Sequence, residues 1–311
     1  MLEFLYLKTE DEDDMEIRLQ LINEQLSADA PAFVAACEQH YWQQVHKIAD
    51  FIKENHTTRP IILLSGPSGS GKTTTAHLLE QLLDQAGLET HTLSMDNYFS
   101  PLTPEQLEKG DVDLESPDRL DKPLLNAQLE SIVKGETVKI PTFDFINNAR
   151  LYNGETLTRK PNELVIIEGI HALNPDAVTL PHDSTVRIYV SVRTRLAAAD
   201  GSLLHPKWIR LMRRMLRDEV HRNRRPEHTY SMFESVNLGE DRYIMPYKPY
   251  AMFDVDTLIP YEIALYRAPL LNKLEALKDR PGIPDMIRFL EQSATLEHSV
   301  VPPNSLITEF I

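Results

Sequence analysis

Residues 66–73 read Gly-Pro-Ser-Gly-Ser-Gly-Lys-Thr, and no other stretch restricts the possible folds of this chain so tightly. Gly66 is followed by four residues and then by Gly71, Lys72 and Thr73. An apolar run, Ile61 to Leu64, precedes the loop, and a helix-like stretch, Thr73 to Ala86, follows it. Strand, glycine loop and helix in that order form a phosphate-binding unit. Glycines let the backbone curl so that successive N–H groups and the positive end of the helix face one phosphate chain. Gly66, Ser68, Gly69, Ser70, Gly71, Lys72, Thr73 and Thr74 are therefore the expected nucleotide-binding residues. Lys72 can reach the β and γ phosphates, and the Thr73 hydroxyl can ligand Mg²⁺. ATP with Mg²⁺ is the expected cofactor pair.

Around this unit the chain alternates strand-like and helix-like segments. Residues 31–55 carry Phe33, Ala36, Cys37, Tyr41, Val45, Ile48 and Phe51 at steps of three and four, which predicts a helix. Further strands are expected at Thr90–Met95, Leu164–Ile167 and Val186–Val192, with a short one at Val138–Phe145 and an edge strand at Phe253–Ile259. Residues 100–136 are polar and punctuated by proline, a loop-and-helix excursion; residues 203–222 and 263–278 read as helices. The resulting expectation is an α/β fold of P-loop NTPase type: a central parallel sheet, helices on both faces, and an arginine-bearing lid helix. The expected division is an acidic N-terminal extension (1–58), a kinase domain (59–265) with its lid at about 203–225, and a C-terminal helical extension and tail (266–311).

Charge narrows the function. The chain of 311 residues has a formal net charge of −15, which argues against a nucleic-acid or anionic-membrane binder because those need a basic face. A single cysteine, Cys37, rules out an internal disulfide, and no apolar run approaches the roughly 20 residues that cross a bilayer. A cytoplasmic setting is expected, and a homo-oligomer is compatible with all of this. Two segments depart from the average. Residues 1–30 hold nine acids against Lys8 and Arg18, a net −7 that reads as solvated surface. Residues 203–225 hold eight basic residues against Asp218 and Glu219, a net +6 that calls for an anionic ligand.

In an open parallel sheet, ligands bind beyond the carboxyl ends of the strands. Two acids stand at such ends, Asp96 in LSMDNYF and Glu168 in VIIEGIH. Phosphoryl transfer to a hydroxyl needs a proton acceptor, a metal ligand and positive charge for the transferring oxygens. Asp96, Glu168 and the arginine helix can supply these in that order.

The segments GPSGSGKTT, SMDNYF, LESPDRLD, PTFDFINNAR, VIIEGIHAL and RLMRRMLRDEVHRNR together resemble the uridine kinase and phosphoribulokinase family of P-loop kinases, over roughly residues 59–265. VPPNSLITEFI and SMFESVNLGE further resemble a bacterial uridine-kinase-like nucleoside kinase subgroup. The resemblance implies Asp96 as general base, Lys72 as phosphate ligand, and Thr73 with Glu168 as the Mg²⁺ environment. It implies Glu115 at the acceptor's sugar hydroxyls, and Arg210, Arg213, Arg214 and Arg217 in the lid helix, with Arg213 and Arg217 acting on the transferring group and Arg210 on the acceptor. The lid face is expected to be mobile when empty. The implied reaction is transfer of the ATP γ-phosphoryl group to a small-molecule hydroxyl acceptor, a nucleoside such as uridine. A sugar, a sugar phosphate or a pantothenate-like alcohol would use the same catalytic set, and a nucleotide-dependent regulatory protein would keep the loop without an acceptor pocket.

The chain departs from the family where the base is read. Uridine and cytidine kinases carry Tyr, Asp and then His ahead of an arginine, whereas this chain has Phe143, Asp144 and Asn148 before Arg150. A hydroxyl and an imidazole are lost from the expected substrate-binding set of Phe143, Asn148, Arg150, Glu115 and Arg210.

Overall fold

Three short apolar runs, Ile61–Ser65, Leu164–Glu168 and Thr185–Ser191, are buried on both faces, the mark of the centre of a parallel sheet covered by helices, and two less buried strands flank them. The structure, a computed structural model, describes residues 6–8, 15–110 and 112–311. The acid run Glu10 to Asp14, with Glu3, lies outside the described residues. We number the strands of the central sheet β1 (Ile61–Ser65), β2 (Thr90–Ser94), β3 (Leu164–Glu168), β4 (Thr185–Ser191) and β5 (Phe253–Asp256). Their order is β5-β4-β1-β3-β2, all parallel. The loop-bearing strand β1 is thus central. The register pairs Leu64 with Glu168 and Ser94 with the same Glu168, so three strands end level.

Side-chain alternation along the strands splits the interior into two cores. Ile62 and Leu64 of β1 face one, shared with α1 (Leu19–Asn55) and α2 (Lys72–Gln85). Ile61 and Leu63 face the other, shared with α3 (Lys122–Lys134). The first core also takes α4 (Pro206–Arg222), α6 (Glu262–Glu275), α7 (Ile283–Gln292) and the C-terminal Leu306, Ile307 and Phe310; α5 (Pro226–Tyr243) joins it through Phe233. Among the described residues no helix is long and apolar enough to cross a membrane.

The helix expected from residue 31 begins earlier, at Leu19. It breaks at Asp29, whose φ of −159° and ψ of 87° are not helical, and Asp29 Oδ1 caps the restart by accepting from Ala32 N at 3.0 Å. Val138–Phe145 is corrected from one strand to two pieces, Val138–Lys139 and Thr142–Asp144, separated by Ile140 and Pro141. Each pairs outside the main sheet, the second with Ala149–Leu151 as an antiparallel hairpin. The edge strand at Phe253 stops at Asp256, three residues earlier than its apolar pattern suggests. A small side sheet joins Tyr6–Lys8, Met15–Arg18, Arg195–Ala197 and Leu203–Leu204.

Candidate active site

The phosphate loop leaves β1 at Gly66, where any Cβ would stand 1.9 Å from the Val190 carbonyl oxygen of β4. That approach to backbone admits only glycine. Gly71 closes the loop at φ 85°, left-handed, and caps α2. Lys72, Thr74 and Ser68 are half-buried and Thr73 is exposed, whereas Gly66, Gly69, Ser70 and Gly71 are buried, so of the expected nucleotide ligands the start of α2 is the part open to solvent. Lys72 makes no hydrogen bond or ion pair within the protein among the described residues, leaving its ammonium available.

Asp96 sits in the 3-10 turn Met95–Tyr98 directly after β2, where Ser94 Oγ accepts its backbone N–H at 3.3 Å. Crowding within the cleft, and next the negative charge of Glu168, push the Asp96 pKa up to about 6, against the opposing charges of Lys72, Arg222 and Arg217. Its residue surface is nevertheless exposed, so solvent screens part of that push. Glu168, at the end of β3, is 8% exposed and makes no ion pair among the described residues. A buried carboxylate without an ion-pair partner, close enough to Asp96 to raise its pKa, is a pair of oxygen donors that suits Mg²⁺. Glu115 packs over Gly239, whose Cβ would lie 2.3 Å from the Glu115 Cβ. Burial raises its pKa, opposed by Arg214 and Lys72, so Glu115 shares the electrostatic field of the loop.

The arginine helix α4 lies across this loop. Arg210 donates to the Ser68 carbonyl at 3.3 Å and pairs with Glu240. Arg214 donates to the Ser68 hydroxyl. Arg213 donates to the Gly69 carbonyl at 3.2 Å, and to Glu262 through Nε at 2.7 Å and Nη2 at 2.9 Å. One expectation is corrected here. Arg213 and its partner Glu262 are both wholly buried, and its donors serve Glu262, Thr257 and Gly69, so it holds the loop to the fold rather than facing the transferring group. Along the helix Ile209, Leu211, Met212 and Met215 are core residues, and its arginines find anions in Glu240, Glu262, Glu309 and Asp218. Amides of α4 are accordingly expected to be protected from hydrogen exchange before nucleotide is added. Arg217, 18% exposed, is the arginine of this face that still reaches the cleft.

Phe143, Asn148 and Arg150 lie in and beside the hairpin. Asn148, at φ 50°, spends its amide on Leu102, accepting from its N–H and donating to its carbonyl, both at 2.9 Å. Arg150 pairs with Asp121 at 2.8 Å and donates to the carbonyls of Tyr98 and Phe99. Both are corrected from ligand-reading residues to wall supports, because the Asn148 amide and both terminal nitrogens of Arg150 are bonded within the protein. Asn97 Oδ1 accepts from Phe143 N at 3.3 Å and ties the hairpin to the turn that carries Asp96.

Sequence reasoning missed Glu309. The tail folds back so that Leu306 packs on Gly71, where a Cβ would be 2.6 Å from Leu306 Cδ1. Glu309 Oε2 then accepts from the Thr74 hydroxyl at 2.6 Å, and its Oε1 lies 3.6 Å from Arg217 Nη1. Glu309 is a lone acid near the end of the chain, and no local pattern announces its position.

With this geometry in hand, comparison with known proteins decides the family. The sequence model of the Phosphoribulokinase / Uridine kinase family matches residues 61–260. The chain belongs to that family. It is 31% identical to a uridine kinase of Borrelia duttonii (strain Ly) over 201 residues, covering 64% of this chain and 85% of that protein. It is 29% identical over 224 residues to uridine-cytidine kinase 2-B of Danio rerio, covering 68% and 78% of the two chains. A crystal structure of a putative fructose transport system kinase from Silicibacter sp. TM1040 shares the fold with a TM-score of 0.54 at 19% identity, over 68% of this chain and 98% of that one. The fold is that of the P-loop kinases, and the family is one of phosphotransferases that act on small molecules.

Proposed function

We propose that this chain transfers the γ-phosphoryl group of ATP to a hydroxyl of a small acceptor. The observation that carries this reading is the level ending of β1, β3 and β2, which sets the phosphate loop, Glu168 and Asp96 along one edge of the sheet. Asp96 takes the acceptor's proton as the acceptor oxygen bonds to Pγ, the bond from Pγ to the bridging oxygen breaks, and ADP departs. Lys72 and Arg217 offset the charge on the transferring oxygens. Thr73 and Glu168 would hold Mg²⁺, which supplies charge compensation on the β and γ phosphates. A regulatory protein without an acceptor has no need of a free base at Asp96, and an exposed carboxylate there favours catalysis.

Asp96→Asn tests the assignment. The variant is expected to bind MgATP with near-normal affinity in calorimetry and to lose ADP formation, since an amide cannot take the proton. Turnover by Asp96→Asn at saturating nucleotide would remove the base. The raised pKa adds a pH profile: only the carboxylate accepts a proton, so kcat/KM of the parent protein, which reports the free enzyme, should rise with pH through about 6 and level off above it. Stability runs the other way. A folded pKa above the ordinary value of 3.8 means the native state holds the proton longer, so stability declines as pH rises from there to about 6. Asp96→Asn should therefore melt slightly higher than the parent at pH 7.

Glu309 competes for the same positive ground. Its carboxylate occupies the Thr74 hydroxyl at the start of α2, where phosphate is expected to sit. Glu309→Gln keeps the shape and removes the charge, and ADP should bind a few-fold tighter by RT ln K arithmetic on one weak ion pair. Unchanged or weaker ADP binding would show that Glu309 merely orients Thr74 and Arg217.

A further inference from the structure

Beside the Asp96 turn is a cavity of about 450 Å³, within the range that holds a small ligand. Its position ties it to the proposed base. Phe99 follows the turn directly, and Phe143 is held to Asn97 in that turn. Phe99, Phe143 and Phe145 form one wall as three mutually edge-on rings with centroids 5.0 to 6.1 Å apart. Leu102, Leu107 and Leu114 form another. Phe145 is 63% exposed although it belongs to this cluster, so the wall presents apolar surface to whatever enters. Polar groups nearby are closed on the protein: the Asn148 amide on Leu102, Arg150 on Asp121 and two carbonyls, and the Asn147 amide on Asp144 at 2.6 Å. Little remains to read the polar edge of a pyrimidine.

Arg119 is the exception. Its guanidinium lines the same cavity and stands over the Phe99 ring at 5.6 Å. It has no carboxylate within ion-pair distance among the described residues, whereas Arg150, whose Nε is likewise buried without a hydrogen-bond partner, is paired with Asp121. Burial lowers its pKa below the ordinary value, with no neighbouring acid to offset that loss. In a chain where 47 acidic residues face 32 basic ones, an arginine left without an acid at a cavity wall is a site for an external anion.

We propose that the phosphoryl acceptor is a carboxylate-bearing alcohol with an apolar body, its carboxylate held by Arg119 and its body seated on the Phe99, Phe143 and Phe145 rings. This rests on the kinase reading above and separates the chain from kinases of neutral nucleosides. A single guanidinium matches the single charge of a carboxylate, and its two parallel N–H groups match the carboxylate's two oxygens. A phosphate dianion would leave charge uncompensated in an apolar cavity.

The test measures ADP release from MgATP by the full chain with acceptors matched in shape and differing in charge. Pantothenate is compared with panthenol, and 4-(hydroxymethyl)benzoate with 4-(hydroxymethyl)benzamide, alongside uridine and a pentose phosphate. At least one acid should exceed its neutral counterpart in kcat/KM by about tenfold or more, as expected for one charge-assisted hydrogen-bonded contact. Arg119→Gln should erase that ratio through KM while leaving ADP binding and the melting temperature of the protein unchanged. Preference for uridine or the pentose phosphate over every acid overturns the inference and leaves the kinase reading standing. An acid preference that survives Arg119→Gln overturns it as well, as does failure of both acids to release ADP. Calorimetry with MgATP alone reports separately on the kinase reading, since loss of nucleotide binding would sink that reading and not the acceptor's chemistry.

Discussion

Lys72→Ala should lower turnover by roughly a hundredfold or more, about 3 kcal/mol of transition-state stabilisation, as measured by steady-state ADP formation. The size of the effect follows from how the lysine is kept. It stands at the first turn of α2, half-buried, and no acid in the described protein neutralises it by an ion pair. Its charge is therefore free for the phosphate chain, and most valuable when the γ-phosphoryl group is between donor and acceptor. Stability should change little, because the side chain makes no hydrogen bond or ion pair among the described residues. Near-normal turnover in this variant would remove the phosphate-loop assignment altogether.

Arg213→Met should instead damage the fold, by about 3–5 kcal/mol in denaturant unfolding, the range found when one partner of a buried ion pair is removed. Glu262 would be left wholly buried at the start of α6, with Tyr266 donating to it at 2.8 Å and the Ile259 N–H at 3.0 Å, but no cation. The Gly69 carbonyl of the phosphate loop would lose its donor as well. Arg217→Met provides the contrast. Its partner Glu309 is 3.6 Å away and both side chains reach solvent, so stability should move by less than about 1 kcal/mol while turnover falls. A variant pair with the opposite pattern, Arg213→Met stable and slow and Arg217→Met unfolded, would reverse the two roles. If Arg213→Met proves too unstable to purify, Glu262→Gln weakens the same pair while keeping its shape, and a smaller loss of stability there carries the same conclusion.

Local signals account for most of the fold and for the outline of the site. The phosphate loop was legible because its backbone conformation demands glycines at fixed positions between an apolar strand and a helix, and such demands leave their mark in consecutive residues. Asp96 and Glu168 could be picked out because parallel strands end at a common edge, so an acid after an apolar run is placed by topology alone. The central strands β1, β3 and β4 were readable because each is a short apolar run buried on both faces. Outside the main sheet, the misreading of Val138–Phe145 as one strand arose because Ile140 and Pro141 interrupt a run whose composition is otherwise that of a strand. The kink at Asp29 likewise hid twelve residues of helix ahead of position 31, since a break in dihedral angles looks like an end when only periodicity is visible.

Partners distant in sequence were decided by tertiary structure. The +6 charge of residues 203–225 was evident, but its neutralisation by Glu240, Glu262 and Glu309 brings together groups that share no local pattern. An arginine every three or four residues describes equally a face awaiting phosphate and a face already satisfied, because helical spacing says which side chains point together and nothing about what stands opposite. The same limit applies to Asn148 and Arg150, whose residue types suggest recognition while Leu102 and Asp121 absorb their hydrogen bonds. Arg119 shows the converse: it sits unremarked in LESPDRLD, and only the packing of Phe99 and the hairpin leaves its guanidinium at a cavity without an acid. Backbone conformation and burial periodicity are written in neighbouring residues, so the sequence determined the sheet, the loop and the two edge carboxylates. Charge pairing depends on distances across the fold, so the tertiary structure decided which arginines are structural, that Glu309 stands at the phosphate loop, and what surface the acceptor meets.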